Sequence, residues 1–290
     1  MVKRIGFIGL GAMGAPMARR LVDSGFQLAV FDLLAERTHS LVEFGARGAD
    51  SPRDACQDVE ALIIMVMTAS QVEDVLFGDN GVAEALAPRA VVVVMSTIGP
   101  DAVRELAERL TAQELRVVDA PVSGGVARAE QGNLLIMAGG QRDLFEELRP
   151  VLEAMGSSVV HCGESVGDGQ AVKMVNQLLV GVHLAVAGEA LSYAAALGLD
   201  PRFVFETVQK GAANSFMLEN RGERMLSGEF TLTESALSIL IKDVDLALKA
   251  AEAQGFYAPL GSSAHQLYQK ASSLGFGGEE DAGIVRVFEQ

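Results

Sequence analysis

The longest apolar stretch of the sequence, residues 169–197, limits the folds that the chain can adopt. It is long enough to span a membrane, but it contains polar and ionisable side chains, namely Lys173, Asn176, Gln177, His183 and Glu189. The hydrocarbon core of a bilayer tolerates few such groups. We therefore predict a long helix that is buried inside a soluble protein without a membrane partner.

Lys173 is the most unusual residue of this helix. It lies three residues before Asn176, so both side chains are expected on one helical face, with Gln177 beside them. An ammonium group is costly to bury unless it has a partner or a chemical role. The alternative is a lysine whose head group reaches solvent at the first turn of the helix.

Residues 1–160 alternate short apolar runs with helical patterns. The runs are rich in valine and isoleucine on every side, which is typical of a mostly parallel sheet that helices cover on both faces. The predicted strands are Ile5–Gly9, Gln27–Phe31, Ala61–Met67, Ala90–Met95, Arg116–Asp119, Leu134–Ala138 and Ser158–His161, and the helices between them include Ala15–Ser24, Ala35–Phe44 and Asp101–Gln113.

The pattern changes after Cys162, where glycines punctuate a linker over residues 163–169. No convincing strand follows, and helical periods take over. We predict an α/β domain over residues 1–163 and an all-helical domain over residues 164–290, linked by the long helix. Further helices are expected at Pro201–Val208, Phe216–Leu226, Ser235–Gln254 and Ser262–Leu274, and the weakly patterned tail after Gly275 is expected to be partly mobile.

Composition narrows the range of partners. The 290 residues carry a formal net charge of -15, which disfavours nucleic acids and anionic membranes. Two cysteines and four scattered histidines provide neither a disulfide framework nor a metal-ligand spacing. The first residues lack the pattern of a secretion signal, so we expect a cytoplasmic protein.

A glycine-rich turn follows the first predicted strand and precedes the first predicted helix. Its sequence, GLGAMG, matches the G-x-G-x-x-G pattern of dinucleotide-binding turns. The first glycine permits the tight turn, the second lets the backbone approach a pyrophosphate, and the third lets helix and strand pack closely. The helix N-terminus then offers N–H groups to the phosphates. The predicted cofactor-binding residues are Gly9, Leu10, Gly11, Ala12, Met13 and Gly14.

Asp32 indicates which dinucleotide binds. It ends the second strand eighteen residues after Gly14, close to the spacing expected for an acid that binds the ribose. A carboxylate there accepts hydrogen bonds from the ribose hydroxyls of NAD and repels the additional phosphate of NADP. Leu33 and Leu34 offer no cation for that phosphate, and Arg37 lies about one helical turn further on. We predict a Rossmann-type domain that binds NAD.

Four segments together resemble the β-hydroxyacid dehydrogenase family over essentially the full length of the chain. They are IGFIGLGAMGAPMARRL near the start, DAPVSGG at residues 119–125, GDGQAVKMVNQ at residues 167–177, and the Lys242-Asp243 pair. The family includes 3-hydroxyisobutyrate dehydrogenase, tartronate semialdehyde reductase and L-threonate dehydrogenase. The resemblance implies an enzyme that oxidises a small hydroxy acid by hydride transfer to a nicotinamide cofactor.

The resemblance assigns a role to Lys173. The family motif G-x-G-x-x-x-K-x-x-x-N contains the lysine that acts as general acid/base, and Gly167, Gly169 and Lys173 match it. The motif's asparagine would fall at Gln177, but many members place it one residue earlier, as Asn176 does here. Burial and a cationic nicotinamide nearby would favour a neutral amine that accepts the hydroxyl proton. Asn176 is expected to orient the substrate or the lysine.

Further roles follow from matching segments. Ser123, Gly124 and Gly125 supply a hydroxyl and unshielded N–H groups that suit a substrate carboxylate, with a simple turn as the alternative. In the family, the segments that contain Met67, Thr68 and Thr97 line the cofactor cleft, and Lys242 lies across the cleft near the cofactor. An ordinary loop residue is the alternative for Thr68, and a surface lysine for Lys242.

Two segments concern the substrate. Residues 210–226 and 177–191 resemble the L-threonate dehydrogenase branch. A four-carbon polyhydroxylated acid needs more hydrogen-bond partners than a methyl-branched acid, and Asn214, Ser215 and His183 could supply them. His183 lies ten residues after Lys173, which also fits a buried structural histidine. We predict an aldonate such as L-threonate, with 3-hydroxyisobutyrate or tartronate semialdehyde as the alternatives.

Two other classes of protein share this organisation. One comprises non-catalytic dinucleotide-binding modules that have lost the catalytic lysine, and the other comprises imine reductases, which replace it. The presence of Lys173 argues against both. The long apolar helix exceeds what a small helical domain can bury, so we also expect a homodimer or homotetramer.

Overall fold

The computed structural model describes residues 2–231 and 235–288 of the chain. The chain divides into two compact units, Met1–Lys173 and Met174–Gln290. This division falls inside the long helix, ten residues after the domain boundary predicted from the glycine-rich linker. The turn that contains Lys173 therefore belongs to the first unit.

The first unit is built on a nine-stranded sheet with the order β3-β2-β1-β4-β5-β6-β8-β7, in which β9 also pairs with β8. The pairs from β3 to β6 are parallel, whereas β8 runs antiparallel to β6 and β7. The strands are β1 (Arg4–Ile8), β2 (Gln27–Phe31), β3 (Arg47–Gly48), β4 (Ala61–Ile64), β5 (Val91–Val94), β6 (Arg116–Asp119), β7 (Val122–Ser123), β8 (Leu135–Gly139) and β9 (Ser158–Gly163).

Helices cover both faces of this sheet, as the unbroken apolar strands predicted. The four valines of β5 are fully buried: Val91 and Val93 belong to one core cluster, whereas Val92 and Val94 belong to another. Successive residues of a strand point to opposite faces, so each face of β5 packs into its own core. The helices are α1 (Gly14–Asp23), α2 (Ala35–Val42), α3 (Pro52–Ala55), α4 (Ala69–Phe77), α5 (Pro100–Thr111), α6 (Gly125–Gln131) and α7 (Arg142–Glu153).

The second unit is helical in its described residues, apart from an isolated bridge between Ala236 and Glu280. The long helix α8 (Asp168–Ala196) continues into it from the first unit. The other helices are α9 (Pro201–Val208), α10 (Phe216–Ser227), α11 (Leu237–Ala253) and α12 (Pro259–Ser273), with 3₁₀ helices at Phe276–Gly278 and Asp281–Val287.

The described part of the tail differs from the mobile segment that its weak pattern suggested. Ile284, Val285 and Val287 are buried and belong to the core of the second unit. The 3₁₀ period brings apolar residues inward without the helical spacing that sequence patterns reveal. The tail is thus part of the fold as far as Phe288.

Helix α8 is long and apolar enough to cross a membrane by length and composition. It nevertheless contains buried polar side chains with hydrogen-bond partners inside the protein, including Gln170 and Gln177. It also packs closely against protein: a Cβ at Gly181 would lie 2.5 Å from a methyl group of Val244 on α11. These features are those of a core helix rather than a membrane span.

Candidate active site

The glycine-rich turn occupies the end of β1, as predicted. Gly9 has a φ of 97°, and a Cβ there would overlap with the carbonyl oxygen of Met65. A Cβ at Gly14, the first residue of α1, would overlap with the carbonyl oxygen of Gly9. Gly11 differs, because no atom lies within 4 Å of the position of its Cβ. Close packing against backbone explains why glycine occupies positions 9 and 14, and the open space at Gly11 fits the approach of a pyrophosphate.

Asp32 lies directly after β2 and is bonded to the same turn. Its carboxylate accepts hydrogen bonds from the N–H of Leu10, at 2.7 Å, and from the N–H of Leu34, at 2.9 Å. The guanidinium of Arg37 lies 3.4 Å from the same carboxylate, so a cation is next to the acid that the sequence predicted to bind the ribose. The bonds hold Asp32 beside the backbone that would face the dinucleotide.

Met67 and Thr68 follow β4. Thr68 is the N-cap of α4, where its hydroxyl accepts from the N–H of Gln71 at 3.2 Å. The side-chain oxygen of Gln71 accepts in return from the N–H groups of Met67 and Thr68. Thr68 therefore has a structural role in starting a helix. Met67 is 55% exposed at the carboxyl edge of the sheet.

The segment Ser96–Gly99 follows β5 and contains the predicted cofactor residue Thr97. Its conformation is fixed by the buried side chain of Gln170, on the first turn of α8. The amide oxygen of Gln170 accepts from the N–H groups of Ile98 and Gly99, at 3.1 and 3.0 Å, and its amide nitrogen donates to the carbonyl of Ser96 at 2.8 Å. Gln170 was not among the residues predicted from the sequence.

Asp119, the last residue of β6, binds the first turn of α8 and the residue that precedes it. One carboxylate oxygen accepts from the N–H of Gly167 and the other from the N–H of Gln170, both at 2.6 Å. Burial raises the pKa of Asp119 to about 6, although the two N–H donors oppose this increase. A Cβ at Gly139 would lie 2.5 Å from this carboxylate, and a Cβ at Gly169 would lie 2.8 Å from it. The carboxylate is tightly enclosed.

The predicted carboxylate-binding residues lie at the end of β7. Ser123 is half-buried, and Gly124 and Gly125 both have positive φ, of 142° and 75°. Gly124 is the N-cap of α6, where the first N–H groups lack partners within the helix. These N–H groups are the donors that the sequence predicted for a substrate carboxylate.

Lys173 lies one helical turn after Gln170 and is only 5% exposed. This burial contradicts the alternative in which its head group reaches solvent. The ends of β1, β4, β5 and β6 meet at one edge of the sheet, because these neighbouring strands are parallel. Bonds from Asp119 and from the segment after β5 attach the turn of Lys173 to that edge.

In the second unit, α8 and α11 share a chain of polar contacts. Asn176 donates to the side-chain oxygen of Gln177 at 2.7 Å, and Gln177 donates to Asp243 at 2.6 Å. The other carboxylate oxygen of Asp243 accepts from Lys242 at 2.6 Å. Two predicted site residues, Asn176 and Lys242, are thus connected through Gln177 and Asp243.

The remaining candidates of the second unit, Asn214, Ser215 and His183, are not part of this chain of polar contacts. Asn214 is exposed and precedes Ser215, whose hydroxyl caps α10 by accepting from the N–H of Leu218 at 3.1 Å. His183 lies in the middle of α8 and is half-buried. The helix cap explains Ser215, whereas the roles of Asn214 and His183 remain predictions.

Two protein-family models together cover most of the chain. Residues 4–163 match the model for the NAD binding domain of 6-phosphogluconate dehydrogenase. Residues 167–288 match the model for the NAD-binding region of NADP-dependent 3-hydroxyisobutyrate dehydrogenase. The L-threonate dehydrogenase of Cupriavidus necator is 38% identical over 99% of this chain and 97% of its own length. The chain belongs to the β-hydroxyacid dehydrogenase family.

Other members of the family act on different substrates. The 2-(hydroxymethyl)glutarate dehydrogenase of Eubacterium barkeri is 34% identical over 99% of this chain and 95% of its own. A crystal structure described as 3-hydroxyisobutyrate dehydrogenase from Salmonella typhimurium is 38% identical, with a TM-score of 0.91 over 98% of this chain and 99% of that one. The predicted enzyme class, a hydroxyacid dehydrogenase dependent on NAD(P), is confirmed.

The two glycines with contrasting surroundings give a matched test of the phosphate-binding turn. Gly14→Ala should lower the free energy of unfolding by about 1–3 kcal/mol, because its Cβ overlaps with backbone. Gly11→Ala should unfold like the wild type but bind NADH more weakly, because its methyl group occupies the open space. Thermal unfolding and NADH fluorescence titration measure the two effects. Unchanged NADH affinity in Gly11→Ala would show that the phosphates bind elsewhere.

Asp119→Asn tests the buried carboxylate. The raised pKa means that the native state binds this proton more tightly than the unfolded state, so stability from this group falls as pH rises through about 6. Asparagine does not titrate. The stability difference between wild type and variant should therefore shrink by about 1 kcal/mol from pH 5 to pH 7.5. Urea unfolding across this range measures it, and parallel pH curves for the two proteins would contradict the assignment.

Proposed function

We propose that the chain oxidises L-threonate with NAD as the hydride acceptor, using Lys173 as general acid/base. The observation that carries the catalytic assignment is the buried position of Lys173, one helical turn after a residue bonded to the segment that follows β5. The full-length similarity to L-threonate dehydrogenases supports the substrate.

The proposed reaction needs one proton acceptor. Bound NAD supplies the acceptor for the hydride that leaves the carbon bearing the hydroxyl group. The neutral amine of Lys173 takes the hydroxyl proton as the carbonyl forms, and in the reverse direction the ammonium returns it. Little water reaches the buried side chain, so its proton exchange is directed towards the substrate.

The other predicted residues receive roles that can be tested one by one. Ser123, Gly124 and Gly125 would bind the substrate carboxylate through a hydroxyl and backbone N–H groups. In the second unit, Asn176 would orient the reacting groups and Asn214 would bind a substrate hydroxyl. Lys242 would contribute positive charge towards the cofactor, an assignment that rests on the family resemblance.

Asp32 supports NAD rather than NADP. Its carboxylate is held by the N–H groups of Leu10 and Leu34, so it cannot easily turn away from a 2′-phosphate. Arg37 reduces this repulsion, but its side chain is 45% exposed and already paired with Asp32. A preference for NAD follows, with NADP used less efficiently.

The substrate has two alternatives within the family. The Salmonella structure carries the name 3-hydroxyisobutyrate dehydrogenase, and tartronate semialdehyde is the other substrate that the family resemblance implies. The segment that contains Asn214 favours the aldonate, because Asn214 would give a hydrogen-bond partner to one of its hydroxyl groups. A buried hydroxyl group without a partner would weaken binding. A non-catalytic binding module is the different-class alternative, and the buried Lys173 speaks against it.

We further propose a cytoplasmic homodimer or homotetramer. Helix α8 exposes an apolar stripe at helical spacing, formed by Val175, Leu179, Val186 and Tyr193, each more than half exposed. A second copy of the chain would cover this stripe with the same surface, as two-fold symmetry allows. Light scattering that gives the 30.6 kDa mass of one chain would contradict this proposal.

Lys173→Met tests the proton-transfer role. The variant keeps the length of the side chain but cannot accept a proton, so kcat should fall by about 10²–10⁴-fold while NADH affinity changes little. Lys249→Met, which removes an exposed lysine paired with Asp245, is the control and should keep full activity. Steady-state kinetics and NADH fluorescence give both quantities, and near-normal turnover in Lys173→Met would refute the role.

A panel of acids tests the substrate and the cofactor together. L-threonate, D-threonate, D-glycerate, 3-hydroxyisobutyrate and L-serine would each be assayed with NAD and with NADP. We expect the highest kcat/KM with L-threonate and NAD, because the proposed site provides partners for its hydroxyl groups and Asp32 disfavours the phosphate of NADP. Turnover of 3-hydroxyisobutyrate alone would overturn the substrate, and a clear preference for NADP would overturn the cofactor.

A further inference from the structure

Gln170 connects two parts of the first unit that are distant in sequence. Its amide group makes three hydrogen bonds to backbone of the segment Ser96–Gly99, more than seventy residues away. The side chain is completely buried, so water cannot replace these bonds. The amide oxygen and the amide nitrogen of Gln170 both have hydrogen-bond partners in this segment. Together these bonds fix the separation between the helix and the segment.

The backbone of Gln170 is fixed as well. Its N–H donates to Asp119 at the end of β6, and its side chain binds the segment that follows β5. These two strands are neighbours in the sheet. The first turn of α8 is thus attached to two adjacent strand ends, which prevents it from rotating or sliding along the sheet edge.

The sheet order shows which part of a dinucleotide the segment Ser96–Gly99 would face. Asp32 after β2 marks the adenosine ribose, and the glycine-rich turn after β1 marks the pyrophosphate. The next strands in the same direction are β4 and then β5. The reactive half of the dinucleotide would therefore extend along this edge towards the segment after β5.

Lys173 follows Gln170 by three residues, so the two lie on the same side of the helix, one turn apart. We propose that Gln170 is a positioning residue, which sets the distance between the Lys173 amine and the segment beside the reactive half of the cofactor. This inference rests on the proposed role of Lys173. The hydride and the proton leave the same CH–OH group of the substrate, so a small displacement of the amine or of the cofactor lowers the rate.

Two variants separate positioning from simple stabilisation. Gln170→Met keeps the size of the side chain but leaves three buried backbone groups without partners. Gln170→Glu restores the pattern only when its carboxyl is protonated, because the hydroxyl can then donate to the Ser96 carbonyl while the other oxygen accepts. Three charged groups can influence the titration of this carboxyl. Asp119 is bonded to the backbone N–H of position 170, and Asp168 and Lys173 lie on the same helix. Tyr268→Phe is the control, because it removes a buried bond to the Gly181 carbonyl in the second unit.

Kinetics with deuterated substrate and hydrogen exchange without substrate are the measurements. In Gln170→Met, kcat should fall about 10–100-fold with a smaller change in KM, and the substrate deuterium isotope effect should rise. The amides of Ile98 and Gly99 should exchange faster in the free protein. In Gln170→Glu, activity relative to the wild type should recover as pH falls from 8 to 6. Tyr268→Phe should change none of these quantities.

Other results would overturn the inference. Faster exchange at Ile98 and Gly99 with unchanged kcat and isotope effect would mean that the bonds support the fold alone. A constant activity ratio for Gln170→Glu across pH would lead to the same conclusion. The comparison uses whichever acid of the panel the wild type oxidises, so failure with L-threonate would refute the substrate and not the role of Gln170. Inactivity with every acid, or a fully active Lys173→Met, would refute the proposed function instead.

Discussion

The carboxylate of Asp119 holds the start of helix α8 in place, and the arrangement of the candidate site depends on it. It accepts hydrogen bonds from the N–H of Gly167, the residue before α8, and from the N–H of Gln170, which lies one turn before Lys173. The first N–H groups of a helix have no partners within the helix, and a buried acceptor is needed when water is excluded. The cost is a desolvated carboxylate, which its raised pKa records. The position of Lys173 at the sheet edge is a consequence.

Much of the first unit could be predicted because its signals are local. The valine run of β5, the glycine-rich turn and Asp32 each depend on neighbours in sequence, and each lies where its pattern indicated. Short elements escaped prediction: β3 has two exposed residues, and β7 also has only two. Neither is long enough to show the alternation by which a strand is recognised.

The contacts of Gln170 and Asp119 could not be read from the sequence for a different reason. Each depends on a partner about fifty to seventy residues away, and a glutamine within an apolar helix gives no sign of where its amide points. The same holds for Asp243, which connects Gln177 and Lys242 in the second unit. Sequence patterns identified the ends of that chain, Asn176 and Lys242, but not the buried bonds between them.

The glycines around Asp119 have a consequence for how such chains can diverge. A side chain at Gly139 would press on the carboxylate, and one at Gly169 would overlap with the carbonyl of Met137. Glycine is therefore favoured at both positions, because a Cβ at either one would collide with backbone or with the carboxylate. Residues such as Asn214 lie on the surface and can be substituted without disturbing the packing around Asp119. Substitutions at such surface positions can thus accumulate across a lineage while Asp119 keeps the start of α8 in place.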